Sequence, residues 1–223
     1  MNRILALDTT HEYGSLALAE GGQVVAEALL HSTEGFSRVL FGELRGLLER
    51  SGWELADIDC FAAAAGPGSF TGVRVGLAAA KGLSEALGKP VVAVSNLQAL
   101  AWYGEAALRA AVVDARREQV YGALYTAQLE LVGAEVVAAF ADWIATLPEG
   151  GFEFVCQDGV WMRALLAGTR FEQAAVVEAP RGLAGAIARI AAARIASGEA
   201  QDPAEADANY VRRSDAELFW RTR

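Results

Sequence analysis

The sequence of 223 residues is poor in the residues that build covalent or metal-linked sites: it has two cysteines, two histidines and two methionines. Cys60 and Cys156 each stand alone in an apolar, strand-like run, which excludes a disulfide framework and predicts two buried thiols in a reducing compartment. His11 and His31 lie too far apart to form the helical i, i+4 pair of a metallopeptidase, so each reads as a surface or strand-end residue. Positive charge is also short, with 19 Lys plus Arg against 28 Asp plus Glu and a net charge of -9. Gripping nucleic acid unaided needs clustered Lys and Arg, so any nucleic-acid role runs through a partner. No apolar run reaches membrane-spanning length, and the few apolar residues between Arg3 and Asp8 are too short for a signal peptide. The expected location is the cytoplasm, with no membrane contact.

What the chain does have is apolar bulk, 53% of its residues, enough for one large domain or two small ones. Its unusual chemistry concentrates at Gly66-Pro67-Gly68-Ser69-Phe70-Thr71-Gly72-Val73-Arg74-Val75-Gly76. The apolar run Cys60–Ala65 before it reads as a strand buried on both faces, and the Leu, Ala, Lys and Glu after it favour helix. Strand, glycine turn and helix start together make a potential anion site, because free N–H groups and the positive end of the helix dipole converge there. Neither standard phosphate fingerprint fits, however. The Lys of a Walker A loop is missing, since the first lysine is Lys81, and Thr71 stands where the dinucleotide motif needs its third glycine. A tight turn with Ser69 or Thr71 capping the helix is the simpler alternative.

In chain order, Ile4–Thr10 reads as a buried strand ending in a carboxylate and two hydroxyls. Ser15–Glu20 and Gln23–Leu30 flank Gly21-Gly22, a hairpin signal. Phe36, Val39, Leu40, Leu44, Leu47 and Leu48 mark one face of a helix over 36–50, with Gly42 and Gly46 beside the stripe and open to a second helix. Pro90–Val94 is a further buried strand, followed by a helix from 96 or 97 to 103. The second half echoes the first: Ala110–Asp114 is an apolar strand ending in aspartate, Ala115–Gln119 a polar turn carrying Arg116 and Arg117, and Val120–Ala127 and Leu129–Val137 two more strands. Helices near 142–147, 161–167 and 183–195 alternate with strands at 152–156 and 174–177, and the pattern implies an internal duplication of an α/β lobe. Residues 202–207 read as a solvated linker, and the role of Tyr210–Arg213 and Leu218–Trp220, packing or partner contact, stays open.

Two related β-β-β-α-β-α lobes resemble the duplicated actin-like ATPase (ASKHA, ribonuclease H-like) fold. The expected division is an N-terminal lobe over residues 1–104, carrying the glycine motif and the partner-binding helices, and a smaller C-terminal lobe with the tail over 105–223. Within that superfamily the run GPGSFTGVRVGLAAAKGL, the opening ILALDTTHEYGSLALA and Asn209-Tyr210-Val211-Arg212 are similar to the TsaB (YeaZ) family. The resemblance implies a non-catalytic subunit that pairs with a TsaD-like catalytic paralogue and a TsaE-like ATPase. That assembly moves a threonylcarbamoyl group onto the adenosine beside the anticodon of certain tRNAs. It also implies no cofactor of its own, ATP or ADP bound together with the partner subunits, tRNA met mainly through the complex, and self-association when the partner is absent.

Gly72, Gly76 and Ala80 recur at i, i+4 as a ridge of small residues, which permits close helix packing against a partner or against the chain's own sheet. On the partner reading, the docking residues are Gly66, Pro67, Gly68, Ser69, Phe70, Thr71, Gly72, Arg74, Gly76 and Ala80, joined by Leu40 and Leu44 of the preceding helix. Asp8, Thr9 and Thr10 are the nucleotide-proximal candidates, and Arg74 is placed to pair with a carboxylate or phosphate. Two other readings stay beside this one. In a self-sufficient actin-like kinase or ATPase, Asp8 and Asp114 would be the paired carboxylates. A metallopeptidase would need the missing His pair.

Overall fold

The computed structural model describes residues 2–211, in two compact units, one of residues 2–96 with Arg181–Asn209 and a second built on Leu97–Pro180. The first unit begins with three antiparallel strands, β1 (Arg3–Asp8), β2 (Tyr13–Glu20) and β3 (Gln23–His31). Gly21 and Gly22 join β2 to β3 with φ of 59° and 82°, a left-handed turn whose twist suits a hairpin and which glycine adopts without a Cβ penalty. Two parallel strands, β4 (Cys60–Gly66) and β5 (Val91–Ser95), complete a sheet in the order β3-β2-β1-β4-β5. Helix α1 (Phe36–Ser51) leads into β4 and α2 (Phe70–Leu87) links β4 to β5, each ending at a left-handed glycine, Gly52 or Gly88.

The alternation of the strands sorts large and small side chains onto opposite faces. Leu5, Leu7, Leu16, Leu18, Phe61 and Ala63 meet Leu40, Leu44 and Leu47 of α1 and Leu77 and Ala80 of α2 in one core. On the other face lie Ile4, Ala6, Ala17, Ala19 and Ala62, all fully buried. Side chains this small leave a shallow surface, and α6 (Ala184–Ala196), itself rich in alanine, settles on it against β1, β2 and β4. Its first turn is fixed by the Ala184 N–H donating to Ser15 Oγ at 3.0 Å, and its last by Arg194 Nη1 donating to the Ala93 carbonyl at 2.7 Å.

This placement corrects the expected division at 104/105. A helix expected in the second lobe covers the first sheet, because without it the alanine face would meet water; nothing local in the sequence says which sheet a late helix covers. The segment that follows is also not a solvated linker. Gln201 and Val91 exchange both backbone hydrogen bonds, at 2.9 and 3.1 Å, Lys81 Nζ donates to the Ala206 carbonyl at 2.7 Å, and the Asn209 N–H donates to the Ala65 carbonyl at 2.8 Å. Residues 201–209 are therefore a strap running from β5 to the end of β4. Arg212, Arg213 and Leu218–Trp220 lie outside the described residues.

The short helix α3 (Asn96–Ala101) follows β5 directly in the chain. The second unit repeats the first arrangement. Strands β6 (Leu108–Asp114), β7 (Gln119–Thr126), β8 (Leu131–Ala139), β9 (Phe152–Cys156) and β10 (Val176–Glu178) form a sheet ordered β8-β7-β6-β9-β10, the same connectivity one copy later. Helices α4 (Phe140–Ala145) and α5 (Gly159–Leu166) accompany it. Its core is aromatic, with Phe140, Trp143, Phe152, Phe154 and Phe171 in edge or tilted contact at centroid distances of 5.1 to 6.5 Å. This is the duplicated actin-like architecture that the resemblance implies. Cys60 and Cys156 are buried free thiols, as expected, and burial pushes them up to about 12 and about 11.

Because α6 sits on an alanine surface, enlarging that surface should be costly. Ala17→Leu is expected to destabilise the protein by about 1–3 kcal/mol, read as a lower urea midpoint with an unchanged slope.

Candidate functional site

The glycine corner is assembled from three chain segments that end at the same edge of the first sheet. β1 delivers Asp8, Thr9 and Thr10, β4 delivers Gly66, and β5 runs into Asn96; all five are buried. A single hydrogen-bonded chain ties them together. The Gly66 N–H donates to Asn96 Oδ1 at 2.8 Å, Asn96 Nδ2 donates to Thr10 Oγ1 at 2.5 Å, and Thr10 Oγ1 donates to Asp8 Oδ1 at 2.6 Å. Asp8 Oδ1 also accepts from the Thr10 N–H at 2.9 Å. From sequence Asn96 is legible as a helix start but not as a member of the site. An isolated Asn at a strand end carries no local signature, although a polar side chain closing the apolar run Val91–Val94 was a signal in plain view.

The helix start faces this network and is joined to it through Ser69. The Ser69 N–H donates to the Thr10 carbonyl at 2.7 Å, the Gly72 N–H to Ser69 Oγ at 3.3 Å, and the Val73 N–H to the Ser69 carbonyl at 2.8 Å. Ser69 is thus the N-cap, the simpler of the two expectations for the motif. In return Thr9 Oγ1 donates to the Gly72 carbonyl at 2.7 Å. Three glycines permit this approach: a Cβ would lie 2.7 Å from the Thr10 carbonyl oxygen at Gly68, 2.0 Å from the Thr9 carbonyl oxygen at Gly72 and 2.6 Å from Thr9 Oγ1 at Gly76.

The small-residue ridge therefore points inward, which corrects its expected role. Gly72, Gly76 and Ala80 pack on the chain's own sheet and the Thr9–Thr10 turn, and Leu40 and Leu44 lie in the core, so none of the five offers a surface to a partner. Gly66 and Pro67 are likewise buried. The outward residues are different ones. Phe41 and Phe70 are 54% and 41% exposed, Ser69, Thr71, Arg74 and Ala78 are exposed, and Gly42 and Gly82 have open space where a side chain would go. The Arg74 guanidinium lies 3.6 Å from the Phe70 ring centroid, a cation–π contact on the outer side of the helix.

His11 sits at the edge of the network, its Nδ1 2.9 Å from Thr10 Oγ1. Because the Thr10 hydroxyl gives its proton to Asp8, His11 Nδ1 must carry the proton of that contact. Burial pushes the imidazole below its ordinary range, opposed in part by the Asp8 charge. His11 Nε2 and Asp8 Oδ2 are both buried without a hydrogen-bond partner. At the matching position of the second unit Asp114 is satisfied locally. Its Oδ1 accepts from the Arg116 N–H at 2.7 Å and its Oδ2 lies 3.4 Å from Arg116 Nη1, in a turn where Arg116, Arg117 and Glu118 all have positive φ. Among the described residues, no group of three or more His, Cys, Asp or Glu is placed to hold a metal ion.

The two sides of α2 should answer differently to the same change. Gly72→Ala forces a Cβ onto the Thr9 carbonyl and should cost several kcal/mol or prevent folding, whereas Gly82→Ala, in open space, should stabilise by about 0.5–1 kcal/mol through helix propensity, both read by thermal and urea unfolding. The lowered His11 pKa means that the unfolded chain takes up a proton before the folded one does as pH falls. Its contribution is therefore full above pH 6.5, the ordinary value, and is lost below it. A His11→Gln variant should flatten the fall in stability between about pH 6.5 and 5.

The family model TsaD: tRNA N6-adenosine threonylcarbamoyltransferase matches residues 16–197. The tRNA threonylcarbamoyladenosine biosynthesis protein TsaB of Escherichia coli (strain K12) is 42% identical over 127 residues, 55% of this chain and 54% of that protein. The chain thus spans about half the length of this curated relative. Among solved structures, YeaZ from Pseudomonas aeruginosa superposes with a TM-score of 0.80 at 29% identity, covering 94% of this chain and all (100%) of that one. A second structure, of a protein described by its similarity to the peptidase YeaZ from Pseudomonas aeruginosa, gives 0.81 at 30%, covering 95% and 100%. The length of the family match and the near-complete structural overlap, on a sheet order repeated in both units, make this chain a member of the TsaD family in its TsaB (YeaZ) branch.

Proposed function

We propose that the chain is a non-catalytic, activating subunit in the transfer of a threonylcarbamoyl group to the adenosine beside the anticodon of tRNAs that read codons starting with A. Its partners on this reading are a TsaD-like catalytic paralogue and a TsaE-like ATPase. ATP or ADP is held with those partners, tRNA is met through the complex, and a second copy of the chain takes the partner's place when it is absent. The observation that carries the reading is the fate of the glycine motif. The Ser69 and Gly72 N–H groups, which a phosphate cradle would turn toward its ligand, donate to the Thr10 carbonyl and to Ser69 Oγ instead. With the glycines consumed inside, the outer faces of α1 and α2 keep Phe41, Gly42, Phe70, Arg74, Ala78 and Gly82 at the surface, aromatic and small positions that suit a docking helix pair. A self-sufficient actin-like ATPase is not favoured, because Asp114 is engaged by Arg116.

Reconstitution tests the role. Modified adenosine is measured with tRNA, threonine, bicarbonate, ATP and the other pathway proteins, with and without this chain. Modification should fall at least about tenfold without it, a loss of roughly 1.4 kcal/mol in transition-state stabilisation; equal rates would overturn the proposal. Within the same system, Phe41→Glu and Gly42→Trp should abolish copurification with the TsaD-like subunit while leaving the unfolding midpoint unchanged. Retained association would move the docking face elsewhere.

A further inference from the structure

A sheet edge invites pairing with another chain, and native proteins cover, break or shorten their edges. Three of the four edges among the described residues are dealt with in those ways. The outer edge of β5 is closed by the chain itself: Val91 exchanges both backbone hydrogen bonds with Gln201, the Ala93 N–H donates to Gln201 Oε1 at 3.3 Å, and the Ala93 carbonyl accepts from Arg194 Nη1 at 2.7 Å. β8 is broken by a register shift against β7 and by Gly133 at φ 85°, and β10 has only three residues. β3 is the exception. It ends the first sheet, runs for nine residues, and among the described residues no backbone group meets its outer edge. It has no lysine, arginine or proline to discourage pairing, and Leu29 on it is 56% exposed. Its one irregularity is a bulge at Val25, which leaves residues 26–31 in unbroken register with β2.

We propose that β3 is a pairing edge for a second copy of this chain, related by a two-fold axis that passes beside Leu29 perpendicular to the sheet and joins two five-stranded sheets into one. The strand's own sequence supplies the register. With two copies antiparallel about Leu29, that leucine meets its counterpart, Ala28 of one copy lies opposite Leu30 of the other, and Glu27 of one lies opposite His31 of the other, twice over. An acid thus faces a base on either side of an apolar centre. Glu27, Leu29 and His31 alternate onto one face of β3 and are all exposed, and Glu27 enters no ion pair among the described residues. His31 is steadied by the Tyr13 ring, with the centroids 5.0 Å apart. Moving the axis to Ala28 would set Glu27 against Leu29, and moving it to Glu27 would set two carboxylates together, so neither register competes. So short a ladder makes a weak, concentration-dependent dimer. It uses none of the exposed residues of α1 and α2, and it stands independently of the function proposed for them.

The experiment starts from the full chain carrying Phe41→Glu, which removes association through the helix face. Sedimentation equilibrium follows it from about 10 µM to about 1 mM, the range in which weak interfaces assemble. It should dimerise, and backbone hydrogen exchange over residues 26–31 should slow as it does. Adding Leu29→Lys should raise the dissociation constant at least about tenfold, and adding Glu27→Lys should do the same. Combining Glu27→Lys with His31→Glu restores opposite charges in the same register and should bring the constant back to within about threefold of the starting chain. This swap keeps Leu29 and so decides the matter should Leu29→Lys fail to fold. A Phe41→Glu chain that stays monomeric, a folded Leu29→Lys chain that dimerises as well as its parent, or a charge swap that recovers nothing would each overturn the pairing edge.

Discussion

The contact on which the first unit depends is the one between the backbone of Thr9–Thr10 and the first two turns of α2. It lets a helix axis come within backbone distance of a strand end, and it exists only because Gly68, Gly72 and Gly76 have no side chains there. The rest follows from it. Once α2 is seated, Leu77 and Ala80 reach the leucine face of the sheet, Ser69 caps the helix, and the Thr10 hydroxyl is set between Asp8 and Asn96. Glycine-rich loops that bind phosphate use the same freedom to let a ligand approach. Here the occupant of that space is the chain itself.

The two faces of the first sheet answer different demands. The leucine face pairs with α1 and α2, whose branched side chains fill depth, and the alanine face pairs with α6, where depth is small and approach is close. The second unit keeps the sheet order but fills its core with aromatic rings. Duplication has preserved connectivity, including the aspartate that ends the first strand and caps the N–H two residues on, Thr10 in one copy and Arg116 in the other. It has not preserved packing chemistry, which each copy solves with its own residues.

Much of this was legible in the sequence. Gly21-Gly22 marked the hairpin, the spacing of Phe36, Leu40, Leu44 and Leu47 marked α1, and the run into Ser69 marked the strand, turn and helix of the corner, all through local rules that hold without tertiary information. The direction of the glycine ridge was not legible in the same way. Periodicity places Gly72, Gly76 and Ala80 on one stripe, and only their neighbours Val73 and Leu77, which share the buried side, say that the stripe faces inward. Asn96 and the anchoring of residues 201–209 escaped because they act across long stretches of chain, where a hydrogen bond leaves no trace in composition. The family resemblance depends on the corner itself, and so survives the change in what the corner's glycines do.

The return of residues 181–209 to the first unit has a consequence for how the protein is made. All five strands of that unit have been synthesised by Ser95, but the helix that covers their alanine face and the strap that reaches Ala65 follow only after residues 97–180 of the second unit. During that interval a flat, small-residue sheet surface stands uncovered, the kind of surface that associates wrongly when it lingers. The pace of translation across residues 97–180 thereby sets how long the nascent chain is exposed to that hazard.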